Sequence, residues 1–79
     1  MNEFNLALGH ISKIKHITKR GDVFAIITYN GKSYNDVFMR RKDYNKLSKG
    51  NLIKGFLIAL TDDIPEEDYQ VHVFKPTHL

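Results

Sequence analysis

The chain has 79 residues, with twelve Lys and Arg against nine Asp and Glu, and it contains no cysteine. This length suits one domain with a small core, and the absence of cysteine excludes disulfide bonds and cysteine-based zinc sites. The longest apolar stretch, residues 52–60, is too short to span a bilayer. We therefore expect a single domain over residues 1–79 with no membrane segment, an ordered barrel over 5–74 and a tail over 75–79.

The positive charge is concentrated in the first three quarters of the chain. Residues 1–60 carry eleven Lys and Arg against four Asp and Glu, whereas residues 62–68 carry five of the nine acids. A surplus of seven positive charges attracts polyanions. The alternative interpretation is that the charge only keeps a small domain soluble.

The first part of the chain predicts two strands. Residues 6–17 predict a long strand in which Ile11, Ile14 and Ile17 face the core and Gly9 allows a bend. Residues 22–29 are rich in Val, Ile, Phe and Tyr, the residue types that favour a second strand.

A hairpin signal follows the second strand. Asn30-Gly31 predicts a tight turn into a third strand over residues 32–39, because both turn positions favour a positive φ angle. Tyr29 and Tyr34 flank this turn. We expect them to be cross-strand partners that stabilise the hairpin, with base stacking as the alternative role.

The second half of the chain predicts a short helix and two further strands. Residues 41–48 suit one or two helical turns that end at Gly50, and residues 52–60 and 69–74 suit strands on either side of the acidic loop at 62–68. The predicted fold is all-β, a five-stranded OB-type barrel with a short helical turn between strands 3 and 4. An SH3-like barrel has similar strand content, but this order of elements favours the OB type.

Several segments resemble the strand motifs of cold-shock domains, a family of OB-fold proteins. Residues 20–25, Arg-Gly-Asp-Val-Phe-Ala, resemble the family's first motif, and residues 36–41, Asp-Val-Phe-Met-Arg-Arg, resemble its second, Asp-Val-Phe-Val-His-Phe. Gly-His-Ile at 9–11 resembles the family's opening, and residues 47–53 resemble the stretch that begins its fourth strand. The resemblance covers residues 9–74 and implies a cold-shock-like domain that binds single-stranded RNA or DNA with little sequence preference.

The aromatic platform implied by this resemblance is depleted. Asp22 stands where the first motif has a Phe, and Arg40 and Arg41 stand where the second has His and Phe. The family's Trp in the first strand falls on or near Lys13. A stacked base contributes about 1–3 kcal/mol per aromatic, so the losses would weaken binding. Arginine recovers part of this, because guanidinium groups stack on bases and pair with phosphates.

The leading hypothesis is therefore a site in which aromatic rings stack bases and cations hold phosphates. Alternation places Val37 and Met39 on one face of the third strand and Phe38 with Arg40 on the other. Two alternatives stay open: Phe24 and Phe38 are ordinary core, or the cations are only solvated surface charges. The predicted nucleic-acid-binding residues are Lys13, Lys15, Lys19, Arg20, Phe24, Phe38, Arg40 and Arg41.

The second hypothesis is a protein-protein interaction barrel that has lost nucleic-acid binding. It would act as an accessory or inhibitory protein, or as a homodimer, through the acidic loop and the outer face of the fourth strand. That strand has apolar residues on both faces, although one face of a small sheet is usually wet. The partner-binding residues of this alternative are Phe56, Ile58, Asp62, Asp63, Glu66 and Glu67.

No catalytic pattern is present in the sequence. The glycines form no phosphate-binding loop, no cysteine nucleophile exists, and the four histidines lack the spacing of metal ligands. We therefore expect neither an enzyme nor a protein with a cofactor or metal. The lack of cysteine fits a reducing compartment, so we expect a cytoplasmic protein.

Overall fold

The computed structural model describes residues 3–60 and 71–77. In this part of the chain, strands dominate, with one helix and one 3₁₀ turn. The elements are β1 (Glu3–Leu6), the 3₁₀ turn (Leu8–His10), β2 (Ile11–Ile17), β3 (Val23–Tyr29), β4 (Lys32–Met39), α1 (Arg41–Ser48), β5 (Ile53–Ala59) and β6 (Val71–Pro76).

The six described strands form one mixed sheet that curls into a half-barrel. The strand order is β1-β5-β6-β4-β3-β2, and all neighbours are antiparallel except β4 and β6, which are parallel. The two edge strands, β1 and β2, are consecutive in sequence and are separated only by Ala7 and the 3₁₀ turn. One stretch of chain therefore supplies both edges of the sheet.

The prediction of five strands with a continuous first strand over 6–17 is wrong. The predicted bend at Gly9 is a full break, because Gly9 lies in the 3₁₀ turn that sends β1 to pair with β5 and β2 to pair with β3. Ile11 and Ile14 pack against the core as expected. Ile17 does not, and it is 55% exposed, because it lies at the end of an edge strand.

The β3–β4 hairpin is confirmed, with positive φ angles of 52° at Asn30 and 77° at Gly31. The predicted pairing of the two tyrosines is wrong. Tyr29 lies opposite Lys32 and Tyr34 lies opposite Ile27, because the two-residue turn at Asn30-Gly31 sets the register of the hairpin at Tyr29–Lys32.

The predicted helix is confirmed over the predicted residues, with Leu47 buried and Tyr44 packed against the core. Gly50 follows it with a φ of 93°, the conformation that commonly ends helices. No helix among the described residues has the length and apolar character needed to cross a membrane.

The core lies inside the curl of the sheet. It combines alternate residues of five strands with one residue of the helix. Its members among the described residues are Phe4, Leu6, Val23, Ala25, Ile27, Val37, Met39, Leu47, Leu57 and Phe74. The predicted acidic loop at 62–68 and the first two residues of the predicted strand at 69–74 lie outside the described residues, and β6 extends through Pro76.

Candidate nucleic-acid interface

Phe24 and Phe38 lie side by side on the face of the sheet opposite the core. They are direct cross-strand partners in β3 and β4, and their chain neighbours Val23, Ala25 and Val37 are buried. The ring centroids are 5.2 Å apart with an interplanar angle of 63°, an edge-to-face contact. Both side chains are half-buried, and neither belongs to the core cluster of the described residues.

A row of side chains extends from this pair across five strands. His16 of β2 lies opposite Phe24, with ring centroids 5.6 Å apart. Val73 of β6 lies opposite Phe38, and Ile58 of β5 lies opposite Val73. Because direct cross-strand partners share a face, these residues form one continuous strip. We call it the outer row: His16, Phe24, Phe38, Val73 and Ile58.

A cationic groove of about 620 Å³ opens beside Phe38 at one end of β4. The groove brings the β2–β3 turn next to the start of α1, so that cations distant in sequence meet around one aromatic ring. Its lining residues are Arg20, Asp22, Phe38, Arg40, Arg41 and Lys42.

Asp22 holds the two sides of this cationic groove together. Its carboxylate accepts a hydrogen bond from the Arg41 backbone N–H at 3.0 Å and from Arg20 Nη2 at 2.8 Å. Its own backbone N–H donates to Thr18 Oγ1 at 3.1 Å. Because Arg40, the residue before α1, makes no side-chain cap, Asp22 supplies the acceptor at the start of this helix.

Gly21 allows the β2–β3 turn to pack closely against the start of α1. It is buried and has a φ of 93°, a conformation that residues with a side chain rarely adopt. A Cβ atom at this position would lie 2.8 Å from Cζ of Arg41, which is too close. The Arg41 side chain therefore packs directly over the backbone of the β2–β3 turn.

The predicted lysines lie apart from the cationic groove. Lys15 forms an ion pair with Asp36 at 3.0 Å, and Lys13 lies opposite Ile26 on the edge strand. Lys19 is exposed in the β2–β3 turn. Of the eight predicted nucleic-acid-binding residues, the structure brings together five: Arg20, Phe24, Phe38, Arg40 and Arg41.

Sequence reasoning missed several members of this surface. His16 is absent from the predicted site, because two bulges in β2 hide its alignment with Phe24. Asp22 is also absent from the predicted site, because the sequence shows it only as a replacement for a Phe of the first motif. The available signal is its position directly before a strand and two residues after Arg20, where a carboxylate can pair with the guanidinium group.

The residues of the protein-partner hypothesis fall into two groups. Phe56 and Ile58 are half-buried on β5, on the same face as the outer row, and Ile58 belongs to that row. The four acids Asp62, Asp63, Glu66 and Glu67 lie outside the described residues.

Metal-ligating side chains do not cluster in groups of three or more within residues 3–60 and 71–77. Comparison of the chain with family models, with curated proteins and with solved structures finds no match. No family is identified for this chain.

Proposed function

We propose that this chain is a small binding module for single-stranded nucleic acid, RNA or DNA. The observation that carries the proposal is the contact between Phe24 and Phe38 on the outer face, next to a groove lined by three arginines. Single-strand binding sites combine these two parts, because aromatic rings stack successive bases while cations neutralise the backbone.

The connectivity of the sheet supports the proposal. If β1 and β2 are counted as two halves of one bent strand, residues 3–60 and 71–77 form five strands, with the helix between the third and fourth. We infer that the half-barrel is a cold-shock-like form of the OB-type barrel. In such barrels the second and third strands carry the nucleic-acid face. These strands correspond to β3 and β4, which carry Phe24 and Phe38.

The charges of the cationic groove suit phosphates of a strand that stacks on Phe38. Arg40 and Arg41 form no ion pair with any residue in the described part of the chain. No ion pair therefore has to break before their guanidinium groups bind phosphate. Arg20 is paired with Asp22, but its side chain is 81% exposed, and an exposed pair of this kind exchanges readily with a ligand anion. Arginine also stacks on bases, which compensates for the missing aromatics.

The decisive experiment compares Phe38→Ala with Phe56→Ala in titrations with fluorescent single-stranded oligonucleotides, as DNA and as RNA. Phe56 is a matched control, because it is also a half-buried Phe on the outer face but lies opposite Lys75, outside the outer row. Phe38→Ala is expected to raise the Kd roughly 5- to 150-fold at every salt concentration, the equivalent of about 1–3 kcal/mol of stacking. Phe56→Ala is expected to leave the Kd within about twofold, since Phe56 lies outside both the outer row and the cationic groove.

Two results would contradict the proposal. Binding that occurs only at low salt and is indifferent to Phe38 would mean nonspecific charge attraction. No binding at any salt concentration would favour the protein-interaction alternative. The observation that supports this alternative is the half-buried apolar strip formed by Phe56 and Ile58. A concentration-dependent dimer that Phe56→Lys disrupts would then identify the partner as a second copy of the chain.

A further inference from the structure

A second groove, of about 540 Å³, lies on the other side of the start of α1. Leu52, Ile53 and Pro76 provide apolar lining, and four Lys and Arg side chains surround them. Grooves of this size with apolar walls and a few polar groups are typical of small-ligand sites. We call this the helix groove, and its lining includes one acid, Asp43.

Asp43 is the chemically unusual member of the helix groove. It is only 2% exposed, and Oδ2 has no hydrogen-bond partner. Within residues 3–60 and 71–77, its carboxylate forms neither a hydrogen bond nor an ion pair. A buried acceptor without a donor costs free energy. The helix groove therefore holds an acceptor for which this part of the chain supplies no donor.

The helix groove adjoins the proposed single-strand site. Arg40 and Lys42 line both grooves. A nucleic-acid backbone that leaves a base stacked on Phe38 and follows these two cations reaches the helix groove. The nucleotide next to the stacked base is therefore the ligand that geometry and charge favour there.

We propose that the helix groove binds a guanine base of the bound strand. The Asp43 side chain, whose Oδ2 is covered in the unbound chain, turns into the groove so that its carboxylate accepts from N1–H and the N2 amino group. This proposal rests on the proposed function. An ionised carboxylate only accepts hydrogen bonds, and the Watson–Crick edge of guanine presents two adjacent donors. Thymine and uracil present a single N–H between two carbonyl groups, which the carboxylate repels. The ring packs against the apolar lining formed by Leu52 and Pro76.

The test measures the affinity of the wild-type protein for three fluorescent oligonucleotides: oligo-dT, oligo-dT with one central dG, and oligo-dT with one central deoxyinosine. Inosine lacks the N2 amino group and therefore one of the two donors. The dG oligonucleotide is expected to bind about tenfold or more tightly than oligo-dT, since a bidentate contact discriminates by roughly 1–3 kcal/mol. The inosine oligonucleotide should fall between them.

Two variants locate the guanine preference. Asp43→Asn replaces an acceptor oxygen by a donor group and should remove the preference for dG over oligo-dT. Leu52→Asn changes the apolar lining at a residue that is 58% exposed and should reduce the same preference without unfolding the protein. Phe56→Ala, which lies in neither groove, should retain it. Thermal unfolding of each variant verifies that the fold is intact.

The outcomes separate this proposal from the proposed function. Tight binding of all three oligonucleotides with equal affinity would overturn the guanine site and leave the single-strand module standing. A dG preference that survives Asp43→Asn would also overturn it. If Asp43→Asn lowers only the unfolding temperature, the carboxylate acts on the start of α1 alone and the guanine site is wrong. Failure of every oligonucleotide, oligo-dT included, would overturn the proposed function itself.

Discussion

Two aromatic clusters lie at opposite ends of the same hairpin, β3–β4, and they face opposite sides of the sheet. Near the turn, Tyr29 and Tyr34 contact Phe4 at ring-centroid distances of 4.5 and 5.7 Å and pack against the core. At the other end, Phe24 and Phe38 contact each other outside the core cluster. One hairpin therefore supplies an aromatic cluster for stability and another that is accessible to a ligand.

A single irregularity separates the two clusters. Tyr34 and Phe38 are four residues apart in β4, so strict alternation would place them on the same face. From the Ala25–Val37 pair to the Ile27–Tyr34 pair, β4 advances three residues while β3 advances two. The extra residue in β4 rotates Tyr34 toward the core and leaves Phe38 outside. The bulge thus separates an inner aromatic cluster, formed by Phe4, Tyr29 and Tyr34, from an outer aromatic cluster, formed by Phe24 and Phe38.

The largest expected effect tests the inner cluster. Phe4→Ala should lower the free energy of unfolding by about 3–5 kcal/mol, because it removes a buried ring that contacts two others. Phe24→Ala, the matched change in the outer cluster, should lower it by less than half as much. Urea denaturation of both variants measures the difference. Equal losses of stability would mean that Phe24 and Phe38 also belong to the core, and that the division into an inner and an outer cluster is wrong.

A smaller effect is expected where Asp22 joins the β2–β3 turn to the start of α1, beside the outer cluster. Asp22→Ala should lower the free energy of unfolding by about 1–2 kcal/mol, the usual cost of losing an acceptor at a helix start. Asp36→Ala is the control, because its ion pair with Lys15 is partly exposed and contributes about 0–1 kcal/mol. If chemical denaturation shows the same cost for both variants, Asp22 does not organise the start of α1.

The smallest effect concerns the charges beside the outer cluster. Arg40→Ala combined with Arg41→Ala should reduce the log–log salt slope of oligonucleotide binding by about 1.4, or about 0.7 for each phosphate contact. Lys32→Ala combined with Lys49→Ala removes the same net charge away from the cationic groove and should leave the slope nearly unchanged. Titrations across a series of salt concentrations give the slopes. Similar slopes for the two double variants would show that only total charge matters.

Local signals predicted much of the hairpin and the helix. Asn30-Gly31 specifies a tight turn through its positive φ angles, and β3 and α1 follow from patterns within their own residues. The break after β1 could not be predicted in the same way. It exists because β1 pairs with β5, whose residues lie 47 to 53 positions away in sequence, and no local pattern encodes that pairing.

The candidate site was predictable in part. The sequence favoured Phe38 and Arg40 on one face of a strand, and the structure places both at the cationic groove. The separation of Lys15 from that groove was not visible, because it depends on Asp36 of another strand. The role of Asp22 was hidden for the same reason, since its hydrogen-bond partner Arg41 lies nineteen residues away.

By itself, the sequence determined the β-rich class, the hairpin turn, the helix position and the surplus of positive charge over residues 1–60, because each depends on residue type and local spacing. Only the tertiary structure decided which aromatic rings face the core and which cations meet beside Phe38. The physical reason is register. A bulge that adds one residue to a strand reverses the side chains beyond it, and its position depends on how two strands pair rather than on the residue types of either strand alone.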